Sequence, residues 1–293
     1  MPSIEHETVV AMMSGGLGLE DLSVAEQRAV MEASADMFPA EPDVHSSEVD
    51  AGGVAADWVS VDESEDHRVV LYFHGGAYVM GSRNTYRGIA GRIARAARAR
   101  VLVPEYRLAP EQPFPAAVED ATTCWRWLIA AGYAPQHMAI AGDSAGGGLA
   151  LATLLALRGG GDPLPACAVG LSPWTDLEGL GPTAVPGVVD DPMLTAEGLR
   201  ESGRLYAAAD LRNPLAAPLH GDLKGLPPLL LQVGSREILL SDSTRFAEKA
   251  QAAGVQVTLE IEAGLIHVWQ MFADVPEAQT AIERVGVFIR NHC

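Results

Sequence analysis

The sequence predicts an α/β protein whose mostly parallel sheet is covered by helices on both faces. After residue 66, short runs of β-branched and apolar residues alternate with segments of helical periodicity. Most of these runs are apolar at consecutive positions, which is typical of strands buried on both faces. With 293 residues and 48% hydrophobic side chains, the chain is long enough for a large core, and we expect one domain, 1–293.

Six apolar runs are the predicted parallel strands: 68–75, 99–106, 138–143, 166–174, 227–234 and 255–264. Helical patterns lie between or after them: 82–100 with its six arginines, 114–132, the segment after Ser144, 241–254 and 276–291. Before the first run, residues 46–66 predict an antiparallel hairpin at the edge of the sheet.

Two segments do not fit the alternation. Residues 21–38 predict an amphipathic helix with Ser23 as N-cap, and residues 176–220 begin rich in Gly and Pro and become helical. Neither segment supplies a strand. We therefore expect about 1–45 and about 176–220 to form a small cap over one end of the sheet, with the remainder as catalytic core.

Charge and composition exclude several classes of function. The formal net charge is −18, and residues 1–66 hold 16 Asp and Glu against the single Arg28. Such a surface repels phosphate backbones and anionic headgroups, so we expect neither a nucleic-acid partner nor a membrane partner. The sequence contains neither an export signal nor an apolar run of membrane-spanning length, which predicts a cytoplasmic protein. Three cysteines without C-x-x-C spacing favour reduced thiols over a disulfide framework or a zinc site.

The stretch Gly142–Gly146, "GDSAG", predicts a nucleophile elbow. In this motif a serine, here Ser144, is exposed in a strained turn between a strand and a helix, and glycines stand where side chains would collide. The pattern alone is weak, but the residues before it read as a strand and those after it as a helix. Asp143 is expected to brace the turn.

A base and an acid are needed to activate a serine hydroxyl. Of the eight histidines, His267 directly follows the last predicted strand, and the carboxyl ends of parallel strands share one side of a sheet. Glu237, in the loop after the run 227–234, is the predicted acid. Asp242 is the alternative, although we expect it to cap the following helix. The order serine, acid, histidine is that of α/β-hydrolases.

The glycines of "YFHGGAYVMG" offer backbone N–H groups for an oxyanion. Gly75 and Gly76 are the predicted donors, joined by Ala145 at a helix N-terminus. If Gly75 and Gly76 are considered alone, the alternative interpretation is an ordinary glycine turn.

Together these residues resemble the hormone-sensitive lipase family of α/β-hydrolases, in its bacterial carboxylesterase branch. The resemblance covers nearly the whole chain, through "HGGAY", "EYRLAPEQPFPAAVED", "GDSAGG", "SPWTDL", "DPML", "GSREILL" and "IHVWQ". It implies an eight-stranded sheet, a helical cap, ester hydrolysis without metal or cofactor, and frequent homodimers. It also implies that His74 organises the oxyanion loop. Ala77 replaces a glycine of the family pattern, and Glu237 stands where aspartate is commoner.

We therefore predict a serine carboxylesterase that hydrolyses small-molecule, short-chain esters through an acyl-enzyme on Ser144. The same machinery acting on a lactone or amide is one alternative, and a ligand-binding receptor is another, although receptors resembling this family lack the histidine. The candidates for the substrate pocket are Tyr78, Trp174, Met193, Leu194 and Tyr206. Apolar packing of the cap explains these five equally well.

Overall fold

In a computed structural model, residues 1–14, 22–208 and 210–293 are described, and they contain eight strands and eight α-helices. The strands are β1 (His45–Asp50), β2 (Ala55–Ser60), β3 (Glu65–Phe73), β4 (Ala99–Pro104), β5 (Met138–Asp143), β6 (Cys167–Leu171), β7 (Leu229–Gly234) and β8 (Val257–Glu262). The helices are α1 (Ile4–Met13), α2 (Val24–Ala33), α3 (Arg87–Ala97), α4 (Ala116–Ala130), α5 (Ser144–Gly160), α6 (Ala196–Ala207), α7 (Leu240–Ala252) and α8 (Pro276–His292).

The strands form one sheet in the order β1-β2-β4-β3-β5-β6-β7-β8. The six strands from β4 to β8 in this order run parallel, and the β1–β2 hairpin adds an antiparallel edge. The predicted fold class, the six parallel strands and the edge hairpin are confirmed. Helix α1 was not predicted.

Two apolar cores lie on opposite faces of the sheet, as alternation along β3 shows. Leu71 and Phe73 join the core that contains residues of α4, α5 and α7. Val70 and Tyr72 join the core that contains residues of α3 and α8. Because successive side chains of a strand point to opposite faces, a strand buried on both must be apolar throughout.

The two segments predicted to form a cap include residues 15–21 and Ala209, which lie outside the described residues. Helix α2 begins as predicted, with Ser23 in a capping box whose other member is Glu26. Helix α1 packs in a third apolar cluster with the segment that follows β8, where Val10 and Met13 share the cluster with Leu265 and Trp269. Helix α1 thus lies against the segment that follows the last strand.

Three of the six arginines of residues 82–100, namely Arg83, Arg87 and Arg95, pair with the acidic N-terminal part of the chain. Arg95 contacts Glu41 at 2.7 Å and Asp43 at 2.9 Å, and Arg83 contacts the buried carboxylate of Asp57 at 2.6 Å. These pairs join residues 41–43 to helix α3, and Asp57 of strand β2 to the segment that precedes this helix. Among the described helices none has the length and apolar character to cross a membrane.

Candidate active site

Ser144 lies at the junction of β5 and α5 with a left-handed backbone conformation, φ 51°. Both glycines of the elbow are required by close approach. A Cβ on Gly146 would overlap the carbonyl oxygen of Phe73, and one on Gly142 would overlap the carbonyl oxygen of Gly146. Only glycine fits at these two positions. The turn can therefore close tightly and place Ser144 at the tip of a central strand.

His267 lies five residues beyond β8, and its Nε2 is 3.0 Å from the Oγ of Ser144. The side chain is almost fully buried, and Val268 follows it with φ 46°. Strands β5 and β8 are parallel members of one sheet, so their carboxyl ends bring the serine and the histidine to the same rim.

Glu237 lies in the loop after β7, fully buried, and its Oε2 is 2.7 Å from Nδ1 of His267. Its Oε1 accepts hydrogen bonds from the hydroxyl of Ser172 at 2.7 Å and the N–H of Gly234 at 2.6 Å. Ser172 in turn accepts the N–H of Val268 at 3.2 Å. Ser172 thus links Glu237 to the loop that carries His267, and each oxygen of the buried carboxylate accepts a hydrogen bond.

The electrostatic surroundings of His267 favour its charged form. Burial lowers the pKa of the imidazole, but the charge and hydrogen bond of Glu237, with the charges of Asp191 and Asp143, outweigh it and raise the pKa above its ordinary 6.5. The ring is therefore a stronger base than an isolated histidine. Its protonated form is stabilised in place by the neighbouring carboxylate.

Asp143 connects the elbow to the loop after β3. Its carboxylate accepts the hydroxyls of Tyr72 at 2.8 Å and Tyr86 at 3.1 Å, and the N–H of Gly75 at 3.1 Å. Burial raises the pKa of this carboxyl to about 6, against the effect of these hydrogen bonds. The predicted bracing role fits these contacts.

The contact with Asp143 corrects the predicted oxyanion donors. Because the N–H of Gly75 is already donated to that carboxylate, it is not available to a substrate oxygen. In the part of the chain that the structure describes, the N–H groups of Gly76 and Ala77 have no protein acceptor, and both residues line the cavity at Ser144. Ala145 is the second residue of α5, where a helix leaves its N–H groups unpaired. The free donors are thus those of Gly76, Ala77 and Ala145.

His74 is held as a neutral ring beneath this loop. Its Nδ1 is 2.7 Å from the carbonyl of Gly75, and its ring stacks on Tyr106 with centroids 4.2 Å apart. Burial lowers the pKa of His74 to about 4. These contacts fit the organising role that the resemblance implies.

A cavity of about 230 Å³ opens at Ser144 and His267. Of the five predicted pocket residues, Met193 and Leu194 line it. The other three lie in the core behind it: the rings of Tyr78 and Tyr206 stack with centroids 3.7 Å apart, and Trp174 lies 6.0 Å from Tyr78. The prediction of these aromatics as pocket walls is wrong, since each is 1% exposed and packs against its neighbours.

Most of the cavity wall was not predicted. The further apolar side chains that line it are Met13, Val30, Met31, Met37, Phe38, Met80, Leu199, Val268, Met271 and Phe272. The apolar positions of the predicted helix at 21–38 were the one available signal. Six methionines now surround the site, and methionine adapts easily to ligands of different shape.

Asp242, the alternative acid, has a different role from the predicted one. It does not cap α7, since that helix begins at Leu240. Instead its Oδ2 accepts the N–H groups of Thr175 and Asp176, each at 2.8 Å. Burial raises the pKa of this carboxyl to about 7. Asp242 thus fixes the loop after β6 from a neighbouring helix.

A family model described as the alpha/beta hydrolase fold matches residues 70–271. The chain belongs to the α/β-hydrolase family. Among curated relatives, an acetyl-hydrolase of Streptomyces hygroscopicus is 46% identical over 245 residues, which are 83% of this chain and 82% of the relative.

Solved α/β-hydrolases place the chain in the bacterial hormone-sensitive lipase group. An esterase of that group superposes with a TM-score of 0.96 at 43% identity, covering 100% of this chain and 99% of the other. The esterase EstE5, soaked with p-nitrophenyl butyrate, superposes with a TM-score of 0.95 at 42% identity and covers 99% of both chains. The similarity to these relatives shows that the chain is a carboxylic ester hydrolase.

Proposed function

We propose that this α/β-hydrolase is a serine esterase for short-chain carboxylic esters, with Ser144 as nucleophile, His267 as general base and Glu237 as the acid that orients it. The observation that carries the proposal is the continuous chain of hydrogen bonds from Glu237 through His267 to Ser144, at 2.7 and 3.0 Å. An unassisted hydroxyl is a poor nucleophile, and this chain gives it a base whose tautomer is fixed.

In the first half of the reaction, Oγ of Ser144 attacks the ester carbonyl carbon as Nε2 of His267 takes the hydroxyl proton. Glu237 stabilises the imidazolium that results. When the tetrahedral intermediate collapses, the carbon–oxygen bond to the alcohol breaks and the imidazolium gives its proton to the leaving oxygen. The acyl group remains on Ser144.

In the second half, a water gives its proton to His267 and attacks the acyl carbon. Collapse of this second intermediate returns the proton to Oγ of Ser144 and releases the acid. Both intermediates carry a negative oxygen, for which we propose the N–H groups of Gly76, Ala77 and Ala145 as donors. Preformed donors of this kind stabilise the developing charge without reorganising during the reaction.

The preference for short acyl chains rests on the size and lining of the cavity. Its 230 Å³ lie below the roughly 300–1,000 Å³ of common ligand pockets. The soak of EstE5 with p-nitrophenyl butyrate supports an ester of this size for the relative. We extend that substrate class to this chain.

The test is hydrolysis of p-nitrophenyl esters from acetate to hexadecanoate by the wild type, by Ser144→Ala and by Ser243→Ala. Ser243 is another buried serine, outside the site, and serves as the matched control. We expect the highest kcat/KM on acyl chains of butanoate length or shorter, loss of activity by about four orders of magnitude in Ser144→Ala, and near-normal activity in the control. Peak activity on dodecanoate or longer esters, or an active Ser144→Ala enzyme, would contradict the proposal.

We further propose a homodimer, as the resemblance implies. Strand β8 is an edge strand on which Ile261 is 48% exposed, and an uncovered edge is a template for pairing with a second copy. Light scattering should give about twice the chain mass of 30.9 kDa, and Ile261→Lys should lower it toward the monomer. A wild type that elutes as a monomer at micromolar concentration would contradict this assembly.

A further inference from the structure

A second and larger cavity lies beside the catalytic one. It measures about 850 Å³ and lies between α1, α3 and the segment after His267. Its apolar lining includes Val9, Met12, Pro39, Ala40, Pro42 and Val275. Nothing in the reaction proposed above uses this space.

Four residues line both cavities: Met37, Phe38, Met271 and Phe272. At their centre the rings of Phe38 and Phe272 meet edge to face, with centroids 5.5 Å apart and planes at 62°. We call these four residues the partition. The two phenylalanines form its aromatic contact.

Helix α3 holds both halves of the partition in place, namely residues 37–38 and residues 271–272. A Cβ on Gly88 of α3 would overlap the carbonyl oxygen of Phe38, so the backbone of Phe38 lies directly on this glycine. One turn later on the same helix, Nη2 of Arg92 donates a hydrogen bond of 2.9 Å to the carbonyl of Met271. The two halves are therefore anchored to neighbouring positions of α3 and remain in register with each other.

We propose that the partition, through Phe38 and Phe272, determines the chain length of the ester that this enzyme accepts. It closes the catalytic cavity at a size suited to a short chain, and the second cavity is the space into which a longer aliphatic chain extends once either ring is removed. This inference rests on the proposed function, because it concerns the substrate of the same site. It adds two specificity-determining residues that do not take part in the chemistry.

The physical basis is the joining of two apolar volumes. A ring replaced by alanine leaves an opening between them, and each methylene that then enters apolar surroundings adds to binding. A chain of eight carbons, which is poorly accommodated by the catalytic cavity alone, then gains more than a chain of four. The ratio of kcat/KM for octanoate to that for butanoate isolates this gain from any general loss of activity.

The test measures this ratio with p-nitrophenyl esters, and in parallel with acetate esters of butanol and octanol, for wild type, Phe38→Ala, Phe272→Ala and Phe272→Leu. The control is Phe288→Ala, a half-buried phenylalanine that contacts the ring of His292 and lines neither cavity. In the wild type we expect the longer ester to be at least about tenfold slower in one of the two series. Both alanine variants should raise the ratio in that series by about tenfold or more, Phe272→Leu by less, and the control not at all.

Two results would overturn the inference while leaving the esterase intact: a wild type that hydrolyses the longer ester as fast as the shorter one in both series, or alanine variants that remain folded and keep the wild-type ratio. Thermal unfolding of each variant establishes whether it is folded. If an alanine variant is unfolded, the milder substitution Phe272→Leu still provides the test. Failure of the proposed function itself is distinct, because the wild type would then hydrolyse none of the esters above the rate of Ser144→Ala.

Discussion

The rim that carries the proposed catalytic residues and the wall that shapes the cavity are built in different ways. Ser144, Glu237 and His267 each lie within five residues of the end of a parallel strand, and buried hydrogen bonds join them. The wall comes from segments outside the sheet, including α2 and residues 37–38, and it is made of flexible apolar side chains.

This contrast shows how one scaffold separates reaction from selectivity. Hydrogen bonds have strict geometry, so a change at the rim is expected to abolish rate. Contacts between methionine, leucine and phenylalanine are adaptable, so a change in the wall is expected to alter which ester is used.

Replacing the acid should produce the largest effect. Glu237→Gln keeps the shape of the side chain but removes its charge, so His267 loses the partner that fixes its tautomer and stabilises its protonated form. We expect kcat to fall by about 10³–10⁴-fold, which corresponds to about 4–5.5 kcal/mol of transition-state stabilisation. Steady-state kinetics with p-nitrophenyl butyrate, alongside circular dichroism to show an intact fold, check this. A variant within tenfold of the wild type would remove Glu237 from the mechanism.

Asp242 lies near the rim but outside its chain of hydrogen bonds, so changes there should affect stability and not rate. Asp242→Ala leaves two buried N–H groups unpaired and should cost about 2–4 kcal/mol of unfolding free energy. Asp242→Asn retains an oxygen that can accept both and should cost about 1 kcal/mol or less. Urea unfolding measures both values, and a large loss of kcat in the folded Asn variant would contradict this role.

The difference in stability between wild type and Asp242→Asn should depend on pH, in a direction that the pKa of Asp242 defines. Burial raises the pKa of the folded carboxyl from 3.8 to about 7, so the folded state binds more protons than the unfolded state between these values. The contribution of this group is therefore greatest at low pH and declines as pH rises from about 4 to about 7. Asn does not ionise, so the stability of Asp242→Asn relative to wild type should improve as pH rises over that range. If Asp242→Asn instead lost stability relative to wild type as pH rose over this range, this description would be rejected.

The pH profile of the reaction should depend on the carboxylate next to His267. Because the pKa of His267 is raised above 6.5, kcat/KM should decline on acidification with a midpoint above that value. In Glu237→Gln the largest favourable influence on the charged ring is lost while burial remains, so the midpoint should move to lower pH. Rates in a series of buffers give both midpoints, and identical midpoints would show that Glu237 does not act on His267.

A change in the wall should have the smallest effect on rate. Leu199 lines the catalytic cavity from α6. Leu199→Ala should raise KM for p-nitrophenyl butyrate by up to about tenfold while kcat stays within about twofold, because the lost contact is made equally in ground and transition states. If kcat fell as far as in Glu237→Gln, the division between rim and wall would be wrong.

The same contrast explains what the sequence could predict. The central strands of the sheet were predictable because burial on both faces requires continuous apolar runs, as from Val69 to Phe73. The position of Ser144 in a tight turn was predictable because such a turn requires glycine at Gly142 and Gly146. The positions of His267 and Glu237, the proposed base and acid, were predictable because both follow parallel strands. In each case the information lies within a few residues of the feature.

The features that were missed depend on contacts between distant parts of the chain. Gly75 donates its N–H to a carboxylate 68 residues away, and Asp242 accepts from an N–H 67 residues away. Helix α1 is held by Ser3, which bonds Glu277, and by His6, whose Nε2 accepts the N–H of Ile266. Local patterns do not contain such partners, which is why the bond from Gly75 to Asp143, the contacts of Asp242 and most of the cavity wall emerged only from the structure.

In the proposed mechanism Ser144 carries the acyl group between the two halves of the reaction. The most direct test of this step is mass spectrometry of protein mixed with p-nitrophenyl butyrate and quenched in acid within milliseconds, followed by mapping of the modified peptide. We expect one butyryl group per chain, located on Ser144 and absent from Ser144→Ala. A butyryl group on another residue, or rapid release of butyrate by an enzyme that never carries the adduct, would contradict it.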